Sequence, residues 1–170
     1  MIRIMSQRSV VSLLEADPPQ SHHLIFISSP DDPFALKGTV DLPVLAKSFL
    51  LLGFHDISFE SNDHVGPSQN DVMTALKFAE GKEDLVICCH AGISRSSATA
   101  YTISSHRTSP KEALDILDIN RHFPNLLIVK HGSVILDKPE MVELIQDFHK
   151  RAHEAQEKDL LDSTDLSHFQ

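Results

Sequence analysis

Leu85-Val86-Ile87-Cys88-Cys89-His90-Ala91-Gly92-Ile93-Ser94-Arg95-Ser96-Ser97-Ala98-Thr99-Ala100-Tyr101 is the stretch whose reading decides the fold. Leu85 to Cys89 form a short, continuous apolar run, the pattern of a buried strand. From Ser94 to about His106 the chain is helix-like, and Ser96, Ser97, Ala98 and Ala100 are small enough for close packing. A loop joining a strand to a helix in this way can aim its backbone N–H groups into one concavity. The helix N-terminus adds partial positive charge, which makes an anion site of phosphate size. Gly92 suits a turn that leaves no room for a Cβ. Arg95, six positions after Cys89, can bring a planar guanidinium back to the loop mouth and hold two phosphate oxygens at once. The same amides and dipole favour a thiolate at Cys89, and the thiolate is the nucleophile. The plainer alternative is an ordinary strand-to-helix turn with an inert cysteine and a surface arginine.

Outward from this centre, strands alternate with helices. Ser9–Leu14 and His23–Ser28 are rich in Val, Ile and Phe and are bounded by Pro18-Pro19 and by the run Ser29-Pro30-Asp31-Asp32-Pro33, so both read as strands. Asp41–Ser48 reads as a short capped helix, Phe49–Asp56 as a buried strand and Ser58–Gly66 as a loop. Ser68 with Asp71 predicts a capping box that opens a helix through Glu80, ended by Gly81. Ser109-Pro110-Lys111-Glu112 predicts another helix start, with Ala113, Leu114, Ile116 and Leu117 as its apolar face; Pro124 breaks that helix. Pro139 starts a last helix carrying Met141, Leu144, Ile145, Phe148 and Ala152 on one stripe. This order predicts an α/β fold with a largely parallel central sheet flanked by helices. Residues 1–153 read as one domain and 154–170 as a polar, acidic, frayed tail.

Composition narrows the function. The 170 residues carry 15 Lys+Arg against 24 Asp+Glu, a net charge of −9, with 41% hydrophobic and 23% charged residues. That balance is globular, and its acidity argues against a nucleic-acid partner. No apolar run approaches a membrane span, and the short apolar run after Arg3 and Arg8 does not read as a secretory signal. Two adjacent cysteines, Cys88 and Cys89, do not make a disulfide scaffold, and a reducing, cytoplasmic setting is expected.

Cys89-His90-Ala91-Gly92-Ile93-Ser94-Arg95-Ser96 resembles the signature of cysteine-based protein tyrosine phosphatases, and with Ala98-Thr99 it looks most like the dual-specificity branch. The stretch from Phe54-His55-Asp56-Ile57 to Pro124-Asn125 is similar to a group of small predicted bacterial phosphatases. The resemblance implies phosphomonoester hydrolysis through a phosphocysteine on Cys89. Arg95 and the amides of His90, Ala91, Gly92, Ile93 and Ser94 would bind the phosphoryl oxygens, and Ser96 would assist the departing thiolate. No metal or other cofactor is implied. The family's usual His before the nucleophile is here Cys88, which reads as a buried strand residue or, alternatively, as a redox partner for Cys89. His90 reads as a pocket-wall residue. The general acid would be an upstream Asp: Asp56, 33 residues before Cys89, is preferred, and Asp63, 26 residues before it, is the alternative. Asn125 matches a helix-start cap.

Other signals are weaker. His149 and His153 are spaced as a possible ligand pair, but Lys150 stands where a zinc hydrolase motif has Glu, so a solvated helix face is the preferred reading. His22-His23 reads as a surface edge. An aromatic clamp on the substrate would have to use Phe34, Phe54, Phe59 or Phe123. The expected partner is a phosphorylated protein or a small phosphomonoester, and the sequence does not set an oligomeric state. Rival readings are a catalytically weak phospho-binding module, a rhodanese-like sulfurtransferase and a phosphoinositide phosphatase.

Overall fold

The computed structural model describes residues 1–31, 41–59 and 61–165, with side chains to residue 158. Four strands, β1 (Ile2–Ser6), β2 (His23–Ser28), β3 (Ser48–Gly53) and β4 (Leu85–Cys89), form one all-parallel sheet in the order β1-β4-β2-β3. The fold class is therefore the one the alternation predicts. The strand that ends in Cys89 lies in the interior of the sheet, with β1 on one side and β2 on the other. Parallel strands need crossovers, and helices on both faces bury what the sheet exposes.

Period-two alternation divides the core. Ile25, Ile27, Leu85, Ile87 and Cys89 face one layer, packed against α3 (Gln69–Ala79), α4 (Arg95–Arg107), α5 (Leu126–Leu136) and α6 (Glu140–Asp165). Leu24, Phe26, Val86 and Cys88 face the other, against α1 (Gln7–Ala16) and α2 (Leu42–Leu45). Helix α4 is buried along most of its length, which explains its small residues. Gly132 of α5 sits where a Cβ would come within 2.5 Å of the Thr102 methyl group on α4, so the two helices touch at a residue without a side chain.

Several sequence expectations need correction. Ser9–Leu14 is helix, not strand. Ser6 caps α1 by accepting from the Ser9 amide, and the first strand lies just before it at Ile2–Ser6. The helix buries Val10 and Leu14 and leaves Ser9 and Ser12 exposed. A strand would have buried Ser12 on the same face as Val10 and Leu14, at the cost of an unpaired hydroxyl. The second correction concerns residues 109–117. The Ser109–Glu112 box does form, with Ser109 N donating to Glu112 Oε2 at 3.0 Å and Glu112 N to Ser109 Oγ at 3.2 Å. It opens only a short 3-10 turn, Glu112–Ile116. The long helix of this region is α5, opened by Asn125, the residue that matches a helix-start cap, although the helix behind it is not traced from the sequence.

The Ser68–Asp71 box is present as expected. Helix α6 runs on through residues 154–165, the segment expected to be a frayed tail. No described helix is long and apolar enough to cross a membrane.

Candidate active site

β4 delivers Cys89 to the carboxyl edge of the sheet, where α/β folds place ligands. The loop after it is gripped from both flanks. Gln7 N donates to His90 O at 3.3 Å, Phe123 N to Ile93 O at 3.0 Å, and Asn125 N to Ser94 O at 3.2 Å. In a planar trans peptide the N–H points opposite to the C=O it is bonded through. Those three outward carbonyls therefore turn the amides of Ala91, Ser94 and Arg95 to the concave side. Gly92 has φ +72°, and a Cβ there would lie 2.6–2.8 Å from backbone atoms of Met5 and Ser6. The loop thus rests directly on the end of β1, and only glycine permits the contact.

Cys89 is buried, and its Sγ lies 3.2 Å from Ser96 Oγ in the first turn of α4. Arg95 is 5% exposed. Its Nη1 donates to Phe54 O at 2.9 Å and to Ser29 Oγ at 3.2 Å. Its Nε is buried without a hydrogen-bond partner among the described residues, 3.8 Å from Asp56 Oδ2. A guanidinium fixed at one nitrogen and unsatisfied at another is ready to receive an anion. Asp56 lies just past the end of β3, and its Oδ1 accepts from Ser94 Oγ at 2.7 Å and from Asn125 Nδ2 at 2.8 Å. Among the described residues that leaves Oδ2 outside the hydrogen bonds, facing Arg95. Asn125 Oδ1 at the same time accepts from the amides of Leu127 and Ile128, so one side chain caps α5 and fixes the carboxylate.

Cys89, Arg95, Asp56 and the loop residues His90, Ala91, Ile93 and Ser94 line one hollow of about 460 Å³, completed by Gln7 and Ser29. Gly92 and Ser96 are not among its lining residues. Sequence reasoning misses Gln7 because it misplaces β1 and the start of α1. Ser29 could have been found, since it follows directly on β2 at the same carboxyl edge.

Asp63 lies elsewhere. It is exposed in the loop closed by the His55 N to Val65 O bond of 2.8 Å, its own amide donates to Ser61 Oγ, and it does not line the hollow. Cys88 is buried in the opposite core layer from Cys89. Burial, with a smaller contribution from its neighbour Cys89, pushes its thiol well above the ordinary range. A thiol so placed cannot meet Cys89 without rotation of the strand, which removes the redox-partner alternative.

The histidine readings also change. His22 is buried and bonds Asp17 at 2.6 Å, so it is not a surface edge. His149 is buried rather than solvated. Its ring stacks on Phe123 with centroids 3.7 Å apart and planes at 7°, while His153 meets the same ring edge-on at 5.3 Å. No group of three metal-ligating side chains occurs among the described residues. Of the aromatic candidates, Phe54 is buried in the core, Phe59 is exposed, Phe123 is held against α6, and Phe34 lies outside the described residues.

No protein-family profile matches the chain, and no curated protein matches it in sequence. Among solved structures it is similar to the human tyrosine phosphatase-like serine/threonine/tyrosine-interacting protein, with TM-score 0.52 and 19% identity over 83% of this chain and 87% of that one. It is also similar to Tk-PTP in the active form, with TM-score 0.45 and 18% identity over 83% and 88% of the two chains. For PTPMT1 in complex with PI(5)P the TM-score is 0.44 and the identity 16%, over 79% and 81%. The first likeness shows that the chain shares the fold of that tyrosine phosphatase-like protein.

Proposed function

We propose that this chain is a phosphomonoester hydrolase of the cysteine-based protein tyrosine phosphatase type, working from residues 1–153 as one domain. The observation that carries the reading is the convergence of Cys89, Asp56 and Arg95, whose Nε has no hydrogen-bond partner among the described residues, on one hollow at the carboxyl edge of the sheet. In the first step the Cys89 thiolate attacks phosphorus. The bond to the leaving oxygen breaks, and Asp56 gives that oxygen its proton. Arg95 and the inward amides take up the charge on the equatorial oxygens. In the second step water attacks the phosphocysteine, Asp56 takes back a proton, and the S–P bond breaks. Ser96 Oγ, 3.2 Å from the sulfur, donates to the departing thiolate. His90, Ala91 and Ile93 form the wall against the substrate. These steps use protein groups alone. The substrate class is a phosphorylated protein or a small phosphomonoester, and the proposed location is the cytoplasm.

The test is hydrolysis of a small aryl phosphate with a chelator present. Wild type should turn over, and Cys89→Ser should lose essentially all of that activity. Survival of activity in Cys89→Ser would break the nucleophile assignment, and loss with the chelator would point to a metal enzyme. Tight phosphate binding without turnover would favour a phospho-binding module. Transfer of sulfur from thiosulfate would favour the rhodanese-like reading.

A further inference from the structure

One side chain beside the site has a bonding pattern that the reaction above leaves unused. His55 Nδ1 is 3.1 Å from the Val65 carbonyl oxygen, and its Nε2 is 2.8 Å from Asp31 Oδ2. A carbonyl oxygen and an ionised carboxylate are both acceptors only. Both ring nitrogens must therefore carry hydrogen for both bonds to exist, which makes the ring an imidazolium paired with Asp31. The ring is 17% exposed, so the pair is largely shielded on the His55 side.

The position of this pair gives it a role. His55 immediately precedes Asp56, and its own backbone N also donates to Val65 O. Asp31 lies two residues beyond Ser29, which holds Arg95. The imidazolium therefore ties together three segments that meet at the rim: the end of β2, the Asp56 segment and the turn at Val65. Phe54, whose carbonyl holds Arg95, is fixed independently by burial in the core. Loosening His55 would thus release the aim of Asp56 while leaving the guanidinium in place. The charged and titratable groups around the ring are Asp31 opposite Nε2, His64 edge-on with ring centroids 5.0 Å apart, Asp56 next in the chain and Arg95 beyond it.

We propose that His55, as an imidazolium bridging Asp31 and the Val65 carbonyl, is a positioning residue that sets the aim of the Asp56 proton donor. This inference rests on the reading of Asp56 as the acid. It predicts a dependence on the leaving group, because a donor matters most when the departing oxygen is strongly basic.

The experiment compares phenyl phosphate with an aryl phosphate of a strongly acidic phenol, in wild type, His55→Asn, Asp31→Asn and the double variant. Nitrogen NMR of the full chain reports the His55 ring alongside. Each single variant should lose roughly 10- to 100-fold in kcat on phenyl phosphate. The ester of the acidic phenol should be little affected, and the two losses should not add in the double variant. The NMR signals should show hydrogen on both His55 nitrogens in wild type, and Asp31→Asn should lose that pattern. Equal losses on both esters, no loss on either, or a neutral His55 ring in wild type would overturn the positioning role. If wild type turns over neither ester, the hydrolase reading itself fails and the positioning role goes with it.

Discussion

Asp56 and Gly92 show how much a single residue carries here. Asp56 keeps one carboxylate oxygen in two hydrogen bonds and the other beside Arg95. Asp56→Asn keeps the shape but cannot donate a carboxyl proton. Its rate should fall about 10²-fold or more on esters of poor leaving groups, and the basic-side limb of the kcat–pH profile should disappear. A profile unchanged from wild type would remove Asp56 from the acid role. At Gly92 the test is one of stability as well as rate. Its φ of +72° would cost an L-residue about 1–2 kcal/mol, and the Cβ would in addition meet backbone at 2.6 Å. Gly92→Ala should therefore lower the unfolding free energy measured with denaturant by at least that amount and reduce turnover together with it. Cys89, Gly92 and Arg95 were legible in the sequence because their chemistry is local: nucleophile, turn and cation lie within seven residues. Gln7 was not, because it reaches the site only through the pairing of β1 with β4.

Among the elements, α5 is the most instructive. Asn125 is its cap and also bonds Asp56, two duties that can be separated by substitution. Asn125→Ala should destabilise the fold by about 1–2 kcal/mol, the range for losing a side-chain cap, and should lower kcat. Asn125→Ser keeps a capping oxygen but has no amide to reach Asp56, so stability should recover while kcat stays low. Recovery of both would mean that the bond to Asp56 is incidental. The cap at Asn125 was readable because capping residues act within three positions. The helix behind it was hidden by Pro124, which reads as an end and here stands just before a beginning. The misplacement of β1 has a similar origin. Ile2–Ser6 is half-buried throughout, with Arg3 inside it, and so lacks the apolar run of an interior strand. Val10, Val11, Leu13 and Leu14 then draw the strand assignment too far along the chain.

For the whole molecule, pH acts through buried rings. His122 and His149 are held below the ordinary histidine value of 6.5, in both cases chiefly by burial; Arg121 adds to this at His122 and His153 at His149. A histidine that resists protonation when folded lets the unfolded chain bind the extra proton. Stability should therefore be full above 6.5 and should fall as the pH drops from there toward the folded-state values. Denaturant midpoints measured across that interval should show the decline, and it should be shallower in His149→Phe, which keeps a ring against Phe123. The sheet order itself was not written in any local pattern, since every pairing joins distant segments. It has a consequence for how the chain is made. Among the described strands the first borders only β4, so during synthesis residues 2–6 leave the ribosome with no strand to pair with until residues 85–89 emerge. Long-range parallel pairing is slow to form, and the cradle that rests on β1 is closed only by that late event. The hollow around Cys89 should therefore be among the last features to form on refolding, after most of the helices.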